Sequence, residues 1–304
     1  DGSFLNFTPK YSIITNIDLE HLDYYKNWNS ICQAYEEFIG RTQKDGRLIV
    51  CGEDENLLKI VQASRLPYQT YGLSPQHHIC AVDIHLADFS ARYECWVDGK
   101  KMGPIELQVP GKHNVLNSLA CIGLGLSLNI PFDVIQKSLK EFREVKRRFQ
   151  LLTDTQGIRV VDDYAHHPTE ITATLEAASR VQRKRLVVVF QPHRYSRFQM
   201  LFKEFAQSLK NADYLIVTDV YAASEEPIAG INAANFVGLM KEISKKDVVY
   251  CKKEDIISHL HTTAKTGDLI MMLGAGDITK IAHDFSEQLE ARVTRASQPA
   301  AKYI

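Results

Sequence analysis

Leu186-Val187-Val188-Val189-Phe190, followed at once by Gln191-Pro192-His193-Arg194-Tyr195-Ser196-Arg197, is the stretch that decides the fold. Five consecutive apolar residues, three of them β-branched, describe a strand buried on both faces, and such strands belong to parallel sheets covered by helices on each side. The same order of strand, polar loop and amphipathic helix recurs from about Leu151 onward. Ile158 to Val161 precedes Asp162-Asp163-Tyr164-Ala165-His166-His167-Pro168, Tyr214 to Val217 precedes Thr218 to Pro227, and Leu269 to Leu273 precedes Gly274-Ala275-Gly276-Asp277, with Val248 to Tyr250 as a shorter run. The pattern predicts a doubly wound, Rossmann-like α/β domain whose polar loops open on one sheet edge, outside the carboxyl ends of the strands, where such folds bind ligands.

The first half is less regular. Tyr11 to Thr15, Leu48 to Cys51 and Ile79 to Leu86 read as strands, and Asp98-Gly99 between two strand-like runs signals a hairpin, so a mixed sheet with an antiparallel ribbon is expected there. The basic segment Glu144-Val145-Lys146-Arg147-Arg148-Phe149 follows a helix that starts after Pro131, and it marks the boundary between domains 1–145 and 146–304 and would line a cleft between them. Two domains also suit a chain of 304 residues. The tail from Ala291 to Ile304 is expected to fray.

Composition narrows the class further. Lys plus Arg is 36 and Asp plus Glu is 37, a net charge of −1, which gives no overall attraction to nucleic acid or to an anionic membrane. Hydrophobic residues at 45% and charged residues at 24% describe a globular chain with a buried core. The six cysteines form no C-x-x-C pair and read as buried free thiols of a reducing compartment, so a cytoplasmic location is expected. No run is long and apolar enough for membrane insertion. The chain opens on Asp1-Gly2-Ser3-Phe4 without an initiator Met, as a piece of a longer protein would.

Several loops carry chemistry. Arg194 and Arg197, three apart at the apparent start of a helix, can share a face and, helped by the helix N-terminus, form a clamp for a carboxylate or phosphate. One of Asp162 and Asp163 is expected to cap the helix that begins near Pro168, leaving the other to a ribose or metal. His166 and His167 lack the spacing of a zinc site, so hydrogen bonding or acid–base work by one of them is expected. Gly274-Ala275-Gly276 reads equally as a phosphate loop or as a tight turn. Asn16 to Asp23 places carboxylates, an amide and His21 directly after a strand, suited to hydrated Mg²⁺ with phosphates or to helix capping. Gly111 to Asn117 opens a helix with Asn114 and Asn117 on one face, and alone passes as a capping sequence.

Taken together, Asp1 to Leu5, Thr15 to Asp23, Gly111 to Asn117, Lys146 to Gln150, Asp162 to Glu170, Gln191 to Arg197, Tyr221 to Gly230 and Gly274 to Ile278 resemble the bacterial Mur ligases over essentially the whole chain. The resemblance implies a partial central ATPase domain followed by an amino-acid-binding domain, with ATP and Mg²⁺ as cofactors and L-alanine and UDP-N-acetylmuramate as substrates. It implies an ATP-dependent ligase that activates a carboxylate as an acyl phosphate, which the amine of an amino acid then attacks. His21 would ligate Mg²⁺, His113 and Asn114 would flank the adenine and its sugar, Arg148 would reach the ATP phosphates and Asp163 would hold the ribose. Tyr164, His166, Arg194 and Arg197 would position the incoming alanine and the reacting carboxylate or acyl phosphate. The G-x-x-x-x-G-K-[ST] loop of that family occurs nowhere in these residues. The expectation is therefore a chain that lacks the family's UDP-binding domain and P-loop and does not turn over ATP alone. A related ligase that attaches a recycled tripeptide, and a noncatalytic nucleotide or amino-acid binding module, are the competing readings.

Overall fold

In a computed structural model describing residues 2–143, 145–244 and 246–296, the chain divides into two units, residues 1–143 and 144–304. Unit 1 carries one six-stranded sheet, ordered as in the chain: β1 (Tyr11–Ile14), β2 (Arg47–Cys51), β3 (Tyr68–Gly72), β4 (Ile79–Leu86), β5 (Ala91–Val97) and β6 (Lys100–Leu107). β1 to β4 pair in parallel, and β4, β5 and β6 pair antiparallel. Asp98 and Gly99 join β5 to β6 with φ of 46° and 74°, the left-handed pair that a two-residue hairpin requires. β3 escaped the sequence reading because Tyr68-Gln69-Thr70-Tyr71-Gly72 has no continuous apolar run, although Tyr71 is fully buried. The helix Lys112–Ser127 sends Val115, Leu119 and Ile122 into the same core as Leu48, Ile49 and Ile79.

Unit 2 contains β7 (Gln150–Thr155), β8 (Ile158–Asp163), β9 (Arg185–Phe190), β10 (Tyr214–Val217), β11 (Asp247–Tyr250) and β12 (Asp268–Leu273), in the order β11-β10-β9-β12-β8-β7. Five strands are parallel, as the apolar runs predict, and β7 pairs antiparallel with β8 at the edge, so this sheet is also mixed. Alternation decides which side chains face which layer. Val187, Val189, Ile216, Ile270 and Met272 pack with Ile256, Leu260, Ile278 and Phe285 of the helices Ile256–Thr263 and Ile278–Ala296. On the other face Phe190 meets Phe198, Phe205 and Phe236 from the helices Tyr195–Met200, Phe202–Leu209 and Ala233–Ile243.

Because β12 returns between β8 and β9, the segments that follow β8, β9, β10 and β12 emerge together on one edge of this sheet. The helix Ile278–Ala296 continues past Ala291, where fraying was expected, and residues 297–304 lie outside the described residues. All six cysteines are free thiols, but only Cys51, Cys80, Cys95 and Cys251 are buried as expected; Cys32 is half-buried, and Cys121 is exposed on the helix Lys112–Ser127. Among the described residues no helix is long and apolar enough to cross a membrane.

Candidate active-site edge

The loop after β8 is built around two buried carboxylates. β8 runs on through Asp162 and Asp163, so neither caps the next helix. That role falls to His167, whose ring accepts from Thr169 N while Glu170 bonds back to the His167 backbone, a capping box at the start of the helix Pro168–Arg180. Asp162 is inaccessible to solvent, accepts from Thr279 Oγ1 at 2.6 Å and faces the Arg147 guanidinium at 3.6 Å. Asp163 is 4% exposed and accepts from Phe149 N at 2.8 Å, Ala165 N at 2.7 Å and Thr174 Oγ1 at 3.3 Å. In this unit it ties the start of β7 to the Tyr164 loop and to the helix that follows. Burial pushes its carboxyl up to about 6 against these bonds and the charge of Arg148.

The tandem histidines separate as the extended backbone dictates. His167 is buried in the cap, while the His166 ring turns to the edge, with Nδ1 3.0 Å from the Tyr164 carbonyl and 3.2 Å from Glu170. A ladder of rings follows: Tyr164 meets His166 at 5.1 Å, His166 meets His193 at 5.6 Å, and His193 stacks on Tyr221 at 5.4 Å and 10°. Arg147 and Arg148 lie 4.7 and 5.6 Å from the centroid of Tyr164 and close the ladder with positive charge.

Arg194 and Arg197 stand beside it. Arg194, at φ 68°, caps the short helix Tyr195–Met200 and donates its backbone N–H to the Tyr221 carbonyl. Arg197 approaches His193 Nδ1 at 3.2 Å, which makes that nitrogen the acceptor. Burial, then the neighbouring His166, Arg197 and Arg194, lowers His193 to about 4, so its ring is neutral near pH 7. The helix N-terminus, expected to assist an anion, is already served by Glu225, which accepts from Ser196 N at 3.0 Å and Ser196 Oγ at 2.6 Å. Any anion at this edge would therefore rest on the guanidinium groups.

The glycine loop after β12 is explained by packing. A Cβ on Gly276 would fall 2.4 Å from Gln191 Oε1 and 2.6 Å from Tyr221, and Arg147 donates to the carbonyls of Gly274 and Gly276 at 2.5 and 3.2 Å. Gln191 in turn donates to Asp277 at 2.8 Å, and Lys253 pairs with the same carboxylate at 2.7 Å.

The remaining candidates belong to unit 1. His21, exposed and left-handed at φ 53°, lines a cleft of about 460 Å³ together with Asn16, Asp18 and Glu20. Among the described residues no group of three or more His, Cys, Asp or Glu converges to hold a metal. His113 and Asn114 occupy the first turn of the helix Lys112–Ser127, where Asn114 donates its side-chain amide to the Pro110 carbonyl at 2.7 Å. Sequence reasoning singled out the arginines and histidines but missed Arg147, Gln191, Glu225 and Asp277, whose partners lie distant in the chain. It also passed over Glu170, although its place three residues after His167 is the spacing of a capping box.

Residues 2–125 match the Mur ligase middle domain, and residues 147–276 match the glutamate ligase domain of Mur ligases. The chain is 42% identical over 291 residues to a UDP-N-acetylmuramate–L-alanine ligase of Geotalea uraniireducens, covering 95% of this chain and 64% of that protein. The crystal structure of a UDP-N-acetylmuramate–alanine ligase from Thermotoga maritima superposes with a TM-score of 0.76 at 30% identity, over 96% of this chain and 62% of that one. A murein peptide ligase from Psychrobacter arcticus shares the fold, at a TM-score of 0.63 and 20% identity, over 98% of this chain and 60% of that one. The chain thus spans just under two thirds of the length of the proteins it resembles.

Proposed function

The chain belongs to the Mur ligase family, with a middle domain followed by a glutamate ligase domain, and from that premise we propose that it serves the ATP-dependent joining of L-alanine to the lactyl carboxylate of UDP-N-acetylmuramate. The observation that carries this reading is the gathering of Tyr164, His166, His193, Arg194 and Arg197 at one edge of the unit 2 sheet. The 42% identity to L-alanine ligases supports the choice of amino acid. The reading in which a tripeptide is attached rests on a likeness of fold alone.

In the reaction, a carboxylate oxygen displaces ADP from the γ-phosphorus of ATP. The amine nitrogen then forms the C–N bond, and phosphate leaves with the electron pair of the C–O bond while the amine gives up a proton. Arg194 and Arg197 hold the α-carboxylate of alanine and the charge that grows on the acyl phosphate, in a setting where fixed guanidinium groups need no reorganisation. His166 takes the amine proton, and Tyr164 forms the wall against which the amino acid is oriented. Arg148 serves the ATP phosphates, and His113 and Asn114 the adenine and its sugar. At the unit 1 cleft His21 would ligate Mg²⁺, which takes water and phosphate oxygens as its other ligands and supplies charge neutralisation when bound. Its role, the protein's cytoplasmic place and its domain boundaries near residue 145 are parts of the same proposal.

Calorimetric titration with L-alanine tests it. Arg194→Ala and Arg197→Ala each remove a charge-assisted pair and should weaken binding by about tenfold or more. Binding that both variants retain in full would mean that these guanidinium groups do not hold the alanine carboxylate.

A further inference from the structure

The loop between β8 and its following helix holds one carboxylate with more partners than its local role requires. Glu170 occupies the third position of the helix Pro168–Arg180. Its Oε2 accepts from His166 N at 3.0 Å and His167 N at 3.3 Å, which completes the capping box. The same oxygen lies 3.2 Å from His166 Nδ1, and Oε1 lies 3.4 Å from Arg148 Nη1. Capping accounts for the two backbone bonds. It accounts neither for the imidazole nor for the guanidinium.

We propose that Glu170 is a positioning residue for the ligase reaction, fixing the His166 imidazole with its proton on Nδ1 and so leaving Nε2 as the acceptor for the amine proton. The inference rests on the reading of this edge as the amino-acid site and assigns the element that sets its base. Nδ1 faces two oxygens, the Tyr164 carbonyl at 3.0 Å and the Glu170 carboxylate, and an ionised carboxylate and a carbonyl can only accept. A proton on Nδ1 satisfies both, whereas the opposite tautomer would set a lone pair against two acceptors. Burial opposes the charge on Glu170, but the bonds from the His166 ring and backbone, with the charges of His166 and Arg148, hold the carboxyl down to about 2. Glu170 is therefore anionic wherever the enzyme would work. Arg148, Glu170 and His166 form a chain in which a cation fixes an anion and the anion fixes the base, the logic by which a third group orients a base toward its substrate. The neutral His193 ring at 5.6 Å and the Tyr164 ring at 5.1 Å also face His166.

Long-range ¹H–¹⁵N correlation spectra of the histidine-labelled full chain, recorded over pH, read both the tautomer and the pKa of His166. The wild-type chain should show His166 as the Nδ1–H form. Glu170→Gln keeps an acceptor for the cap but removes the charge, so it should retain the fold while His166 titrates about 1 unit lower or more and L-alanine binds about tenfold more weakly. An Nε2–H tautomer in the wild-type chain overturns the proposal whether or not the variant folds. So does a folded Glu170→Gln chain whose His166 titration is unchanged. A wild-type chain that shows the expected tautomer and shift yet binds no L-alanine would leave the positioning intact and remove the ligase reading on which its purpose rests.

Discussion

His193, half-buried at the unit 2 edge, is held neutral by its surroundings. Its ring is lowered to about 4 by burial and by the neighbouring His166, Arg197 and Arg194, while an unfolded chain protonates the same ring near its ordinary value of 6.5. Stability from this group is fully present above pH 6.5 and is lost as the pH falls toward 4, because the unfolded state then binds the extra proton. Asp163 works in the opposite sense. Its carboxyl is raised to about 6 from 3.8, so its contribution is largest near pH 4 and declines as the pH rises to 6. Replacing His193→Gln removes one of the two opposing terms. The thermal midpoint of that variant should fall less between pH 7 and pH 5 than the wild-type midpoint, as calorimetry at the two pH values would read; an equal or larger fall would rule out a half-buried, neutral imidazole. At this scale the sequence exposed the cations and rings but not their partners. Glu225 reaches back across 29 residues to Ser196, and Gln191 across 86 to Asp277, so neither contact leaves a local signature.

Among the elements, those that the sequence made legible are the ones whose burial is symmetric. Leu186 to Phe190 is apolar throughout because both faces of β9 are covered, and Asp98-Gly99 announces its hairpin because few residues tolerate two successive left-handed conformations. β7 stayed hidden behind Thr153, Asp154 and Thr155, since an edge strand needs only part of its surface to be apolar, and its turn at Gln156 and Gly157, with φ of 56° and 72°, was the one available clue. The opposite edge of the unit 2 sheet is locked by charge. Arg185 begins β9 and Asp268 begins β12, in register, with the two side chains 2.6 Å apart and Asp268 only 2% exposed. Arg185→Leu should cost about 3–5 kcal/mol of unfolding free energy in a urea titration, because it leaves a buried carboxylate without its cation. A loss below 1 kcal/mol would mean that water reaches Asp268.

For the whole molecule, the two-unit division separates two sheets with separate cores, and each has its own ledge of chemistry. Unit 1 ends its sheet at β1, an edge strand on which Ile13 is 36% exposed, whereas the unit 2 edge strand β7 is packed by the long helix Ile278–Ala296. Limited trypsinolysis should accordingly cut in the exposed basic stretch around Lys146 and leave a resistant fragment that begins near Arg148. A persistent first half beside a degraded second half would reverse that order of stability. The edge formed by Tyr164, His166, Arg194 and Arg197 is proposed to receive L-alanine for ligation. Its most direct test joins this chain to the part of the Geotalea uraniireducens ligase that it does not cover and measures phosphate release from ATP. Release should require both UDP-N-acetylmuramate and L-alanine and fall by about 100-fold or more with Arg194→Ala, as for loss of a group that stabilises transition-state charge. Release that proceeds with a tripeptide in place of L-alanine, or that is indifferent to Arg194→Ala, would contradict that proposal.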